Sequence, residues 1–378
     1  MHDEQDPFVA NDDDSTVAAA AAITKQFDLD RLPASFQQFL DDNAIDPRIY
    51  TVSDLPRYVR LNTNAIALPS LDDLKEQLGT DDVWQVKDGI FGFLHAKHRL
   101  VDIAAYKNRS LFGIDLSSAM AVEALDLQAN DQVLDMCCAP GAKLCMIANR
   151  IEASGSATGV DCAAHRLATC RSLLKKYKVG SHVRLFEADG TTFAIPPPLA
   201  PKERQQKHTL HANHRRPYWA PKMLRFDPQT STALYDKVLV DAECTHDGSI
   251  SHILKYEKWG WDAFERNFMN PDRLSTVCEL QRNLMKQGWK MLKQNGIMVY
   301  STCSLTVQQN EANVAWFLKH HPDAVLEDAD NAGIKLANIK KVEGIEEDIQ
   351  QAMEQHCLRF DPLISQTSGF FLARLRKH

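Results

Sequence analysis

The sequence predicts an α/β protein in which a parallel sheet covered by helices follows a small α+β unit. From Gln132 onward, β-type runs alternate with longer helical ones: Val133 to Cys137, Thr158 to Asp161, Val183 to Glu187, Lys237 to Val240 and Ile297 to Tyr300. This alternation is the pattern of strands joined by crossover helices. Upstream, between Tyr58 and Phe112, short apolar stretches alternate with Pro, Gly, Asn and Asp, which suggests a compact unit of short strands and helices. With 378 residues, two domains are the default expectation.

In chain order, Asp3, Glu4, Asp6, Asp12, Asp13 and Asp14 mark residues 1–19 as an acidic disordered tail. An alanine run from Val17 to Phe27 suggests a helix, and Phe36, Phe39 and Leu40 continue a helical apolar spacing. The small amino-terminal domain is placed at 20–112 and the main domain at 113–378. Residues 196–232 interrupt the main domain with repeated prolines and with Lys202, Arg204, Lys207, Arg215, Arg216, Lys222 and Arg225. With Tyr218 and Trp219 available for stacking, this basic insertion is either a contact for nucleic acid or a tolerated loop. A helix around Asn310 to Lys319 and a strand from Gly369 to Leu375 close the domain.

Composition excludes several classes. At 44% hydrophobic and 25% charged residues, no apolar run approaches the ~20 residues of a membrane span. The nine cysteines include the adjacent pair Cys137 and Cys138, a poor basis for a disulfide framework, so a reducing compartment, nucleus or cytoplasm, is expected. The net charge of −7 argues against binding nucleic acid by bulk electrostatics alone.

The candidate chemistry gathers at strand ends. Asp135, Asp161, Asp189 and Asp241 close or follow the first four runs, where ligands of parallel sheets sit. The turn Cys137-Cys138-Ala139-Pro140-Gly141-Ala142-Lys143 leads from the first strand into a helix and suits a nucleotide or nucleoside cofactor. It lacks GxGxxG and the GK[ST] ending, which argues against a dinucleotide enzyme or an NTPase. Cys244 and Cys303 follow successive strands on one sheet edge and are placed to line one pocket. A thiolate there suits attack on an electron-poor ring carbon, whereas a buried structural cysteine is the blander alternative. No metal site is expected, because neither CxxC pairs nor matched histidines accompany them.

Three segments resemble the Sun/Fmu, or NSUN-type, family of RNA (cytosine-5)-methyltransferases: Cys137 to Lys143, Asp241-Ala242-Glu243-Cys244 and Tyr300-Ser301-Thr302-Cys303-Ser304-Leu305. Supporting matches are Arg60-Leu61-Asn62, Ser117-Ser118, Asn310-Glu311 and Gly369-Phe370-Phe371. The resemblance implies a Rossmann-like class I methyltransferase domain with a mostly parallel seven-stranded sheet. It also implies S-adenosyl-L-methionine as cofactor and tRNA or rRNA as partner, with the amino-terminal domain at 20–112 contacting the RNA, and the expected protein is a monomer. By resemblance Cys303 is the nucleophile and Cys244 helps release the product. Asp241 contacts the N3 and N4 edge of cytosine, and Lys143 lines the pocket. Asp161 holds the cofactor ribose, Asp189 meets its adenine, Arg166 lies nearby, and the turn Cys137, Cys138, Ala139, Pro140, Gly141, Ala142 and Lys143 cradles the cofactor.

Two positions depart from the family pattern, which has proline where Glu243 stands and glycine where Ala142 stands. Glu243 is expected to loosen the backbone at Cys244 and to raise its thiol pKa by like-charge repulsion. Ala142 is tolerated if the turn needs no positive φ there. A DNA enzyme would place its nucleophile in a Pro-Cys segment, which Glu243-Cys244 does not supply. A catalytically impaired RNA-binding assembly factor with the same fold is the competing reading.

Overall fold

The computed structural model describes residues 27–151, 154–198, 223–225 and 232–378. The acidic tail, residues 17–26 of the alanine run, and Arg215, Arg216, Tyr218 and Trp219 of the insertion lie outside the described residues.

The amino-terminal sheet is antiparallel. Strands β1 (Arg57–Leu61), β2 (Val83–Lys87), β3 (Ile90–Phe93) and β4 (Leu111–Gly113) lie in the order β2-β3-β1-β4. The helix Leu71–Leu78 begins at Ser70 with a capping box closed by Asp73, and buries Leu74 and Leu78 against Val59 and Phe91. Arg60 and Asn62 tie this unit to the main domain. Arg60 donates to Asn149 Oδ1 at 2.7 Å over the ring of Phe112, and Asn62 donates to the Tyr177 carbonyl at 3.3 Å.

The main sheet contains β5 (Gln132–Asp135), β6 (Ser156–Asp161), β7 (Val183–Glu187), β8 (Tyr235–Asp241), β9 (Leu292–Thr302), β10 (Ala324–Glu327), β11 (Leu358–Phe360) and β12 (Phe370–Lys377). Their order is β10-β12-β9-β8-β5-β6-β7, with β11 paired to β12. The five strands from β9 to β7 are parallel, and β12 is antiparallel to its neighbours. Helices cover both faces, which is why the strands read as nearly continuous apolar runs. Leu144, Ile147, Leu167 and Leu174 pack on one side, and Met285, Trp289, Val314 and Phe317 on the other. The chain leaves β5 toward β6 and β7, then returns to β8 on the other side of β5. The carboxyl ends of β5 and β8 therefore border the crevice where the strand order reverses.

Several strand ends differ from expectation, and β5 and β9 show why. β5 stops at Asp135, so Met136 and Cys137 begin the turn: the Asp135 side chain accepts from the Cys137 amide at 3.3 Å and diverts it from the ladder. β9 starts at Leu292 although Asn295-Gly296 reads as a turn. Asn295 has φ 60°, and the pairing with β8 shifts register between Tyr235 and Lys237, so the turn-like pair sits in an irregularity within the strand.

The helix Ala34–Asp42 does not pack on the small sheet. Its Phe36 and Leu40 join Ile253, Tyr256, Phe264, Phe268 and Leu305, in the region that follows Cys244. Among the described residues no helix is long and apolar enough to cross a membrane.

Candidate active site

At the end of β5 the carboxyl group of Asp135 is buried, and its Oδ2 has no hydrogen-bond partner within the structure. Burial, then repulsion from Asp241, pushes its pKa up to about 7. The turn that follows packs tightly. Gly141 has φ 113°, and a Cβ there would lie 2.7 Å from the sulfur of Cys170, so both backbone and space demand glycine. Ala142 is already the first residue of the helix Ala142–Arg150 and is not among the positive-φ positions, so alanine in place of glycine brings no strain. Cys137 is partly buried beside Asp135, whereas Cys138 is buried beside Cys170.

Asp161 closes β6 and accepts from the Ala163 amide at 2.9 Å, with Arg166 3.9 Å away. Arg166 also donates to the Ala139 carbonyl at 3.1 Å, which ties the end of β6 to the turn after β5. Asp189 is exposed beyond β7 and accepts from the Thr191 amide and hydroxyl, both at 2.8 Å.

Lys143 Nζ lies 2.7 Å from Asp241 Oδ2, and Ser301 donates to Asp241 Oδ1 at 2.8 Å. Burial alone would favour a neutral lysine. The Asp241 carboxylate outweighs it and holds the ammonium pKa above its ordinary value. Phe370, from the matched segment near the carboxyl end, places its ring 5.6 Å from the same nitrogen.

Cys244 and Cys303, 59 residues apart, bring their sulfurs to 3.3 Å. His246 Nδ1 lies 3.0 Å from Cys303 Sγ and 3.8 Å from Cys244 Sγ. The three groups form one proton-sharing unit. Burial opposes ionisation of Cys244, but the hydrogen bond from Cys303 and the charge on His246 prevail and bring its pKa well below the usual thiol range. Cys303 is pushed up in turn, by the proton it shares with Cys244 and by burial.

The sequence profile described as 16S rRNA methyltransferase RsmB/F matches residues 122–196 and 206–376. The chain belongs to this family. Its curated relatives include the ribosomal RNA small subunit methyltransferase F of Pectobacterium carotovorum, 24% identical over 92% of this chain and 63% of that one. Another is the ribosomal RNA small subunit methyltransferase B of Yersinia pestis, 26% identical over 78% and 56% of the two chains. The chain thus spans less than two thirds of the length of these relatives. Among solved structures, NSun6 of Pyrococcus horikoshii with SFG has a TM-score of 0.63 at 16% identity, over 93% of this chain and 99% of that one. A methyltransferase homolog from the same organism gives 0.61 at 24% identity, over 88% and 89%. These likenesses establish the Rossmann-like methyltransferase fold.

Within this RsmB/F-family chain, Glu243 behaves differently from expectation. Its carboxylate receives a hydrogen bond from Arg273 at 2.8 Å, its carbonyl accepts from Gln281 at 2.8 Å, and Arg273 also reaches the Cys244 carbonyl at 3.4 Å. These bonds hold the backbone that proline would have stiffened. The Cys244 thiol is lowered rather than raised, because the nearby hydrogen-bond donors outweigh a carboxylate that is neutralised by Arg273.

Of the groups that fasten the two cysteine segments, Asn310 and Gly369 stood in the sequence only as family matches, and Thr245, Asp247, Gly248 and Gln309 were missed. Gln309 donates to Thr245 Oγ1 at 2.8 Å and accepts from the Thr245 amide at 3.2 Å, while Asn310 donates to the Ser304 carbonyl at 2.8 Å. Asp247 accepts from the Leu305 amide at 2.6 Å. Gly248 and Gly369 press together so closely that a Cβ on either would meet the other's backbone at 2.7 Å, and the Gly248 amide donates to the Cys303 carbonyl at 2.9 Å. The only sequence signal for His246 was its place two residues beyond Cys244.

Proposed function

We propose that the chain is an RNA (cytosine-5)-methyltransferase acting on tRNA or rRNA, with Cys303 as the nucleophile. The observation that carries this reading is the meeting of Cys303 and Cys244 at 3.3 Å at the strand edge that also holds the Lys143–Asp241 pair.

S-adenosylmethionine is the cofactor of the family, and the residues present fit it. The buried Asp135 oxygen without a partner calls for a donor such as an amino or hydroxyl group. Asp161 and Asp189 offer acceptors at the next two strand ends, with Arg166 bracing the turn. When bound, the cofactor supplies an electrophilic methyl group.

The chain's own residues do the rest. Carbon 5 of cytosine is a weak nucleophile until a sulfur adds to carbon 6. Bond formation from Cys303 Sγ to carbon 6 shifts the ring's electron pair toward carbon 5, which can then accept the methyl. Asp241 lies 2.7 Å from Lys143 Nζ and accepts from Ser301, which places it as a hydrogen-bond acceptor. An acceptor for the N4 amino group beside an ammonium donor for N3 complements cytosine and opposes uracil, whose edge is reversed. Lys143 also offsets the negative charge that develops at N3.

The test is methyl transfer to unmodified tRNA and rRNA transcripts with S-adenosylmethionine, read as 5-methylcytosine by nucleoside mass spectrometry. Methyl groups found on another atom or base, or no transfer to either RNA, would overturn the reading.

A further inference from the structure

We propose that His246 is a catalytic residue, the counter-charge that keeps a thiolate available to the Cys303 and Cys244 pair; this rests on Cys303 being the nucleophile. Its Nδ1 reaches both sulfurs and lies closer to Cys303, at 3.0 Å against 3.8 Å for Cys244. The backbone at His246 has φ 56°, in the left-handed region where histidine, with asparagine and aspartate, is one of the commoner residues after glycine. The ring packs 4.9 Å from His252 and meets the ring of Phe268 edge-on at 5.7 Å.

The charged neighbours are consistent with an imidazolium. Burial opposes protonation of His246 and Arg273 repels it, but the Cys244 thiolate prevails with help from Glu243, and the pKa lies above the ordinary histidine value. His252 is held down to about 3, first by burial, so it brings no second cation. Lys143 and Asp241, the other charged groups that act on Cys303, pair with each other at 2.7 Å.

The proton count closes. As Cys303 Sγ forms its bond to carbon 6, its proton passes to the Cys244 thiolate, and the imidazolium of His246 balances the negative charge while it moves between the sulfurs. After methylation the hydrogen on carbon 5 leaves as a proton to water. The carbon–sulfur bond then breaks with its electron pair returning to Cys303, and Cys244 gives back the proton. The carbon 5 proton and S-adenosylhomocysteine, whose sulfur keeps the electron pair of the broken carbon–sulfur bond, are the net products besides the methylated base.

The test needs neither RNA nor cofactor. Alkylation of Cys303 and Cys244 by iodoacetamide is followed by peptide mass spectrometry on the whole chain between about pH 5 and 9. His246→Gly brings no strain to the left-handed backbone, and His246→Asn keeps a polar group that tolerates the same conformation, so the two variants together separate loss of the imidazole from loss of packing. Both variants should move the alkylation midpoint up by about one pH unit, a roughly tenfold slower reaction near neutrality. Added imidazole should restore part of the rate in His246→Gly. Profiles that overlay the wild type in both variants would overturn the proposal. A shifted profile in a protein that makes no 5-methylcytosine would leave His246 paired with the thiols and overturn the methyltransferase reading instead.

Discussion

Arg273 holds the carboxylate of Glu243 at 2.8 Å, so the residue that replaces the family's proline is occupied by a cation and not by the adjacent thiol. Removing the cation as Arg273→Met should free a negative charge beside Cys244 and raise the pH midpoint of its alkylation. Glu243→Gln in the same chain should take most of that rise back. The pair is half exposed, so its coupling should be about 0.2 to 1 kcal/mol in a double-mutant cycle on thermal stability. An equal rise with and without the Glu243 charge would show that Arg273 acts on Cys244 by another route.

The two cysteines should separate cleanly. Without the Cys303 thiol no bond to carbon 6 can form, so Cys303→Ala should lose both methyl transfer and any covalent RNA adduct. Cys244→Ala keeps the attacking sulfur, with His246 Nδ1 at 3.0 Å left to take its proton, but loses the proton donor for its release. A denaturation-resistant protein–RNA complex should therefore accumulate with S-adenosylmethionine present. A denaturing gel reads both variants, and an adduct from Cys303→Ala alone would move the nucleophile to Cys244.

Asp161 is the simplest probe of the cofactor cradle. Asp161→Ala should weaken S-adenosylmethionine binding by about 1 to 3 kcal/mol in calorimetry, because hydroxyl groups of the ligand would lose their acceptor. The same variant also frees the Ala163 amide, so melting temperature must be recorded alongside. Unchanged affinity would place the cofactor away from the end of β6.

Asp135 links stability to pH. Its folded-state pKa of about 7 lies above its unfolded value, so the folded state binds the extra proton between those two values. Stability should fall as pH rises from about 4 to about 7 and level off above that, with a total penalty of at most about 4 kcal/mol. Asp135→Asn carries no such penalty. Its melting temperature should exceed the wild type at pH 8 and converge with it near pH 4.5, and parallel curves would remove Asp135 as the source of the slope.

Much of the architecture was legible because its signals are local. The alternation of strand and helix runs after Gln132, the acids at strand ends and the small-residue turn at Gly141 are properties of neighbouring residues. Periodicity needs no knowledge of what packs where. The ends of β5 and β9 were less legible, since a side chain at Asp135 and an irregularity near Asn295 overrode the apolar pattern.

By itself, the sequence determined the parallel sheet, the placement of Asp135, Asp161 and Asp241 along one edge, and two cysteines after successive strands. Only the tertiary structure decided that Cys244 and Cys303 touch, that His246 stands against both, that Lys143 pairs with Asp241 and that Arg273 pairs with Glu243. The reason is physical. A strand end sets where a residue sits on the sheet edge, but proton sharing and ion pairing depend on side-chain separations of a few ångströms, across segments that chain order leaves tens of residues apart.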